Sequence, residues 1–186
     1  MAKMQTYIEI EVPLRQSARW LGDLKQVMRE NYLPVRWQNG YYHITLAFLN
    51  PVPSGVDVSA IMKRHLASFE APSLTFDRLD AFAKRSGGGV VFLTCSDLPG
   101  EFLSITESLR KDLEDAGCVI ESDFKLHVTL GRVDRDVRVA EKKLQELLSE
   151  VDVPSFSLQL KKVNYREFRG RTLCSLDLKG NAQTGD

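Results

Sequence analysis

The chain has 186 residues, is 43% hydrophobic and carries 25 basic against 25 acidic side chains, so its formal net charge is zero. That length suits one compact domain or two small, tightly packed lobes. Charge balance argues against a coat for long nucleic acid, because phosphate neutralisation by a basic excess supplies most of that affinity. Cys95, Cys118 and Cys174 are an odd, widely spaced set without a CxxC pair, which suits reduced thiols rather than a disulfide frame or a zinc site. No apolar run approaches the roughly 20 residues needed to cross a bilayer. Met1–Gln5 leads straight into an alternating strand rather than a signal peptide. A soluble, cytoplasmic monomer is expected, with residues 1–180 as one two-lobed domain and 181–186 as a disordered tail.

Tyr7 to Val12 alternates apolar and polar residues, the mark of a half-buried strand. From Leu14 to about Tyr32, Leu14, Ala18, Leu21, Leu24 and Met28 recur at helical spacing. Asn39-Gly40 predicts a tight turn before a strand over Tyr41–Leu49. Val58, Ile61, Met62, Leu66 and Phe69 predict a second helix. After Pro72, extended stretches over Ser73–Lys84 and Val90–Thr94 are joined through Ser86-Gly87-Gly88-Gly89, a hairpin signal. A helix carrying Phe102, Ile105, Leu109 and Leu113 stops at Gly117. A strand from Phe124 to Val133 and a helix with Ala140, Leu144, Leu147 and Leu148 follow. Strands over Ser155–Phe168 and Thr172–Leu178 close the chain around Gly170.

The second half repeats the first. His43-Ile44-Thr45-Leu46 recurs as His127-Val128-Thr129-Leu130, an offset of 84 residues (127 − 43). Pro72-Ser73-Leu74-Thr75 is echoed by Pro154-Ser155-Phe156-Ser157, an offset of 82 (154 − 72). Two echoes at nearly one offset indicate a duplicated α/β unit. The expected fold is α+β, two pseudo-symmetric lobes, each an antiparallel sheet flanked by helices, with a central cleft to which each unit brings one tetrapeptide.

Successive side chains of a strand face opposite ways. His43 and Thr45 therefore share one face, and His127 and Thr129 share the matching face of the second copy. Imidazole titrates near neutral pH, so one histidine can accept a proton while the other donates one. Threonine hydroxyls beside them can hydrogen-bond phosphate oxygens without adding charge. A pair of imidazoles flanking a phosphodiester supports acid–base cleavage without a metal. One histidine-threonine strand alone would read as structural; the duplication is what favours function. His65 falls beside the apolar stripe of its helix and reads as a partly buried structural residue. Ser86-Gly87-Gly88-Gly89 lacks the rest of a phosphate-loop framework. Lys84, Arg85, Arg166, Arg169 and Arg171 read as a solvated basic rim or as guides for RNA. Trp20 reads as packing, whereas Tyr41, on the face of His43, is the better candidate for stacking a base.

His43-Ile44-Thr45-Leu46-Ala47-Phe48-Leu49 and Phe124-Lys125-Leu126-His127-Val128-Thr129-Leu130-Gly131-Arg132 resemble the signatures of the two-histidine phosphoesterase superfamily. Within it the chain is most similar to the bacterial RNA 2′,3′-cyclic phosphodiesterases, historically called 2′-5′ RNA ligases. The resemblance implies that His43 and His127 are catalytic, that Thr45 and Thr129 hold the phosphate, and that Arg132 assists them. It implies hydrolysis of a 2′,3′-cyclic phosphate on an RNA terminus or nucleotide to a 2′-phosphate, with His127 as base and His43 as acid. No cofactor, metal, membrane or long duplex is expected as a partner. Strict alternation would put Arg132 on the wrong face, unless a bulge at Gly131 turns it back. A nucleotide-binding module without turnover, an ADP-ribose cyclic phosphodiesterase and an enzyme trimming RNA 3′ ends stay open as alternatives.

Overall fold

The computed structural model describes residues 4–180; residues 1–3, and the 181–186 segment expected as a disordered tail, lie outside the described residues. In strand β1 (Thr6–Glu11), Ile8 and Ile10 are buried on one face while Tyr7, Glu9 and Glu11 share the other. Helix α1 (Arg19–Glu30) buries Trp20, Leu21, Leu24 and Met28. It begins later than the periodicity predicts, because the Val12 N–H is tied to the Tyr42 carbonyl and the chain turns only at Arg15–Ala18. Strand β2 (Val35–Trp37) is too short to register in the pattern, and β3 (His43–Leu49) follows.

Helix α2 (Val58–Leu66) is capped by the Asp57 carboxylate, which accepts from the Ala60 N–H at 2.9 Å; Phe69 lies beyond its end. The stretch expected over Ser73–Lys84 divides into β4 (Ser73–Phe76) and β5 (Arg78–Ala83). The break is at Asp77, whose carboxylate accepts from the Ser96 N–H and hydroxyl. Strand β6 (Gly89–Thr94) forms the expected hairpin with β5. Helix α3 (Gly100–Asp115) is followed by Gly117 at φ +99°, the left-handed stop that glycine allows. Strand β7 (Val128–Val133) starts after His127 rather than at Phe124. Helix α4 (Glu141–Leu148) precedes β8 (Phe156–Gln159), β9 (Lys162–Glu167) and β10 (Thr172–Asp177).

Among the described residues, the main sheet runs β10-β9-β1-β3-β7-β6-β5, with β2 on β7, and β4 pairs with β8 in a separate ribbon. Every pairing between these strands is antiparallel. The first lobe is β10-β9-β1-β3 with α2 and α3; the second is β2, β7, β6 and β5 with α1 and α4. Two lobes are present as expected, but each is built from both repeats. β9 of the second repeat seats on β1, and β5 of the first seats on β6.

The joint is the pseudo-symmetry axis. β3 and β7 meet through Ile44 and Val128, which are counterparts at an offset of 84. In the ribbon, Thr75 pairs with its own counterpart Ser157, and their hydroxyls lie 2.8 Å apart. A residue that meets its own counterpart lies on the twofold, so both sequence echoes are contacts across the axis.

Candidate active site

Ile44 and Val128 are both fully buried at the seam. Their neighbours His43, Thr45, His127 and Thr129 therefore lie on the opposite, partly open face of the sheet. The antiparallel sense directs His43 toward Thr129 and Thr45 toward His127 across the axis. The two tetrapeptides thus lie side by side.

A bulge recurs in both copies. Between β1 and β3 the register slips past Leu46, so that Glu9 faces Thr45 while Ile8 faces Ala47. Between β6 and β7 it slips past Leu130, so that Phe92 faces Thr129 while Val91 faces Gly131. The extra residue flips the alternation. Arg132, paired with Val90, comes back to the face of His127 and Thr129. β2 pairs alongside this stretch with Trp37 opposite Gly131, where a Cβ would lie 2.5 Å from Val35 Cγ1 and 2.8 Å from Trp37 Cε3. Burial, then the charges of Arg36 and Arg169, lower the pKa of Arg132.

His43 stands between the rings of Tyr7 and Tyr41, with centroids 5.9 and 5.8 Å away. Beneath it lies Glu9, fully buried, with Oε2 3.2 Å from His43 Nδ1. The two atoms are close enough for charge attraction but off the line of a hydrogen bond, and among the described residues neither has another partner. Glu9 Oε1 accepts from the Tyr41 hydroxyl at 2.5 Å and from Arg166 Nη1 at 3.3 Å. Asn164 Nδ2 donates to Glu11 at 2.8 Å, and its Oδ1 accepts from the Ser175 hydroxyl at 2.6 Å. Burial lowers the His43 pKa; Glu9 opposes that, and Arg166, His127 and Arg132 add to it.

His127 is set differently. Its Nδ1 lies 2.8 Å from the Lys125 carbonyl. A carbonyl only accepts, so Nδ1 carries the proton and the neutral ring keeps a bare Nε2. Phe82 and Phe92 meet the imidazole edge-on at 5.9 and 5.6 Å. Burial lowers its pKa; the Lys125 hydrogen bond opposes that, and the charges of Arg132 and Lys125 reinforce it.

Register identifies the counterparts. Glu9 opposite Thr45 corresponds to Phe92 opposite Thr129, and Arg166 on β9 corresponds to Phe82 on β5. Tyr41 and Lys125 are 84 residues apart. The Arg166 guanidinium sits 5.4 Å from the Tyr41 ring, and the Lys125 ammonium 4.4 Å from the Phe82 ring. The same cation–π contact is thus built twice with its partners exchanged.

All six residues singled out from the sequence, His43, His127, Thr45, Thr129, Arg132 and Tyr41, fall on one face. Tyr41 is 38% exposed, with its hydroxyl engaged by Glu9. Sequence reasoning missed Glu9, Phe82, Phe92 and Asn164 and assigned Arg166 to the rim, whereas its guanidinium reaches inward to Glu9. The one available signal was Glu9 sharing the strand face of Tyr7. His65 is half-buried and 2.8 Å from Asp112, joining α2 to α3 as a structural residue would. Trp20 packs on Phe156 in the core. The three cysteines are free. No helix among the described residues is long and apolar enough to cross a membrane.

A family model described as the 2′-5′ RNA ligase superfamily matches residues 13–172. The RNA 2′,3′-cyclic phosphodiesterase of Archaeoglobus fulgidus is 29% identical over 123 residues, 63% of this chain and 68% of that protein. The RNA 2′,3′-cyclic phosphodiesterase of Thermotoga maritima is 23% identical over 153 residues, 81% of this chain and 79% of that protein. Escherichia coli LigT complexed with 3′-AMP superposes with a TM-score of 0.59 at 21% identity, covering 95% of both chains. Kluyveromyces marxianus Usb1 with uridine monophosphate superposes with a TM-score of 0.65 at 13% identity, covering 96% of this chain and all of that one. At these identities the two structures speak for the fold alone.

Proposed function

This chain belongs to the 2′-5′ RNA ligase superfamily, and from its paired histidines we propose that it hydrolyses 2′,3′-cyclic phosphate ends of RNA or nucleotides to 2′-phosphates. The observation that carries this reading is the seam itself, which brings two imidazoles and two threonine hydroxyls to one face from counterpart strands. The names of the two curated relatives support it.

In the proposed reaction the bare Nε2 of His127 takes a proton from water as the water oxygen attacks phosphorus. The bond from phosphorus to ribose O3′ breaks, and protonated His43 gives its proton to that oxygen. Thr45 and Thr129 donate to the non-bridging oxygens, and Arg132 balances the charge that gathers on them. The histidines end in exchanged protonation states and reset through solvent.

The test is to incubate purified protein with an oligoribonucleotide ending in a 2′,3′-cyclic phosphate and to follow the phosphorus NMR signal. Conversion to a 2′-phosphomonoester is expected. Binding without conversion would instead identify a nucleotide-binding module, and stepwise shortening of a 3′-hydroxyl RNA would identify a trimming enzyme.

A further inference from the structure

We infer that Glu9 is the positioning residue that makes His43 the proton donor of the pair, so that the duplicated site runs in one direction; this rests on the two-histidine reading above. The repeat builds the same frame around both histidines, with equivalent strands and equivalent bulges. At the position facing the motif threonine, one copy has a carboxylate and the other a phenyl ring. A fully buried carboxylate is strongly disfavoured unless its oxygens are compensated. Oε1 is compensated by Tyr41 and Arg166. Among the described residues, Oε2 has only His43 Nδ1 opposite it, 3.2 Å away.

A small turn of the ring joins those two atoms when Nδ1 carries a proton. That bond leaves Nε2 as the nitrogen that presents the second proton to the substrate, and the nearby negative charge favours the doubly protonated ring. At His127 the Lys125 carbonyl fixes the proton on Nδ1, while burial against two phenyl edges and the charges of Arg132 and Lys125 disfavour a second proton and leave Nε2 bare. The groups that face His43 are Tyr7, Glu9 and Glu11 from β1, Tyr41 before β3, Asn164 and Arg166 from β9, and His127 and Arg132 at the seam. Burial most of all, with Arg166, His127 and Arg132, opposes protonation of the ring, and Glu9 is the group that favours it.

The experiment compares Glu9→Gln with wild type on two substrates, a 2′,3′-cyclic phosphate and its analogue with sulfur in place of O3′. A thiolate leaves without a proton. Glu9→Gln is expected to lower kcat by about 10- to 100-fold on the oxygen substrate and under 3-fold on the sulfur one. Its basic limb of kcat/KM should shift to lower pH, with KM little changed. Equal losses on both substrates, or no loss on either, would overturn the role of Glu9. His43→Ala is the control: if it loses equally on both substrates, the acid assignment of His43 fails independently of Glu9. Should Glu9→Gln not fold, nitrogen NMR of His43 in wild type decides, with a protonated Nδ1 in the neutral ring expected and a bare Nδ1 overturning the inference.

Discussion

Glu9 and Phe92 occupy the same place in the two repeats, one opposite Thr45 and the other opposite Thr129. Duplication alone would give two interchangeable histidines. This exchange of a carboxylate for a ring gives them different surroundings, and a hydrolysis that needs one donor and one acceptor can use the difference.

His43→Ala and His127→Ala are each expected to lower kcat by about 10² to 10⁴-fold, the usual contribution of a general acid or base. Both positions lie on the partly open face rather than in the core, so circular dichroism should stay near wild type; His127→Ala should also keep its melting temperature, whereas His43→Ala takes away the ring that faces buried Glu9 Oε2 and should melt lower. A single variant that kept near-wild-type turnover of a cyclic phosphate would sink the two-histidine mechanism.

Arg132 reaches the histidine face because of the slip at Leu130, and β2 pairs alongside Gly131 next to that slip. Gly131→Ala would press its methyl group against Val35 and Trp37. The expected loss is about 1–3 kcal/mol in chemical denaturation, as for other overpacked sites, together with reduced activity. Arg132→Lys keeps the charge but loses the planar fork that binds phosphate oxygens in pairs. It should lower kcat/KM on a cyclic phosphate, and an unchanged value would remove Arg132 from the site.

The halves of the site were not equally legible in the sequence. The motif strands were readable because duplication marked His43, Thr45, His127 and Thr129 twice, at one offset. The bulge could only be suspected, from Gly131. Its true mark is the slip at Leu46 and Leu130, and two apolar residues there look like ordinary core. Glu9 was hidden because a glutamate alternating with isoleucines reads as solvent-facing; its burial depends on Arg166, 157 residues away in sequence. The two lobes were legible from the duplication, but not the exchange of strands between them, because local periodicity says nothing of β9 seating on β1 or β5 on β6.

Burial holds both imidazoles below the ordinary histidine value, and the pH profile should carry the sign of that shift. On the proposed roles, activity should fall in acid as His127, the proposed base, becomes protonated, and in alkali as His43, the proposed acid, loses its proton. With both values lowered in the free enzyme, the whole kcat/KM bell should lie to the acid side of that for two unperturbed imidazoles at about 6.5. Bound phosphate adds a negative charge beside both rings and raises both values, so the kcat bell should lie at higher pH than the kcat/KM bell. A kcat bell displaced toward acid would contradict this account of the site's charge.

The last expectation concerns metal ions. Among the described residues no group of three or more His, Cys, Asp or Glu side chains is arranged to hold a cation. The nitrogen atoms nearest to ligand chemistry are already committed: His127 Nδ1 faces a carbonyl, and His43 Nδ1 faces a carboxylate shared with Arg166 and Tyr41. That leaves one bare nitrogen per histidine, in a setting that also contains the guanidinium of Arg132, which repels cations. Two such nitrogens fall short of the three protein ligands usual for a catalytic zinc. Turnover of a cyclic phosphate should therefore survive exhaustive dialysis against EDTA and gain less than about 2-fold from added magnesium, manganese or zinc, whereas proton transfer by histidine would still supply its usual 10² to 10⁴-fold. Activity that vanished with EDTA and returned with zinc or manganese would make the histidines ligands instead, and the proton relay between His127 and His43 would have to be abandoned.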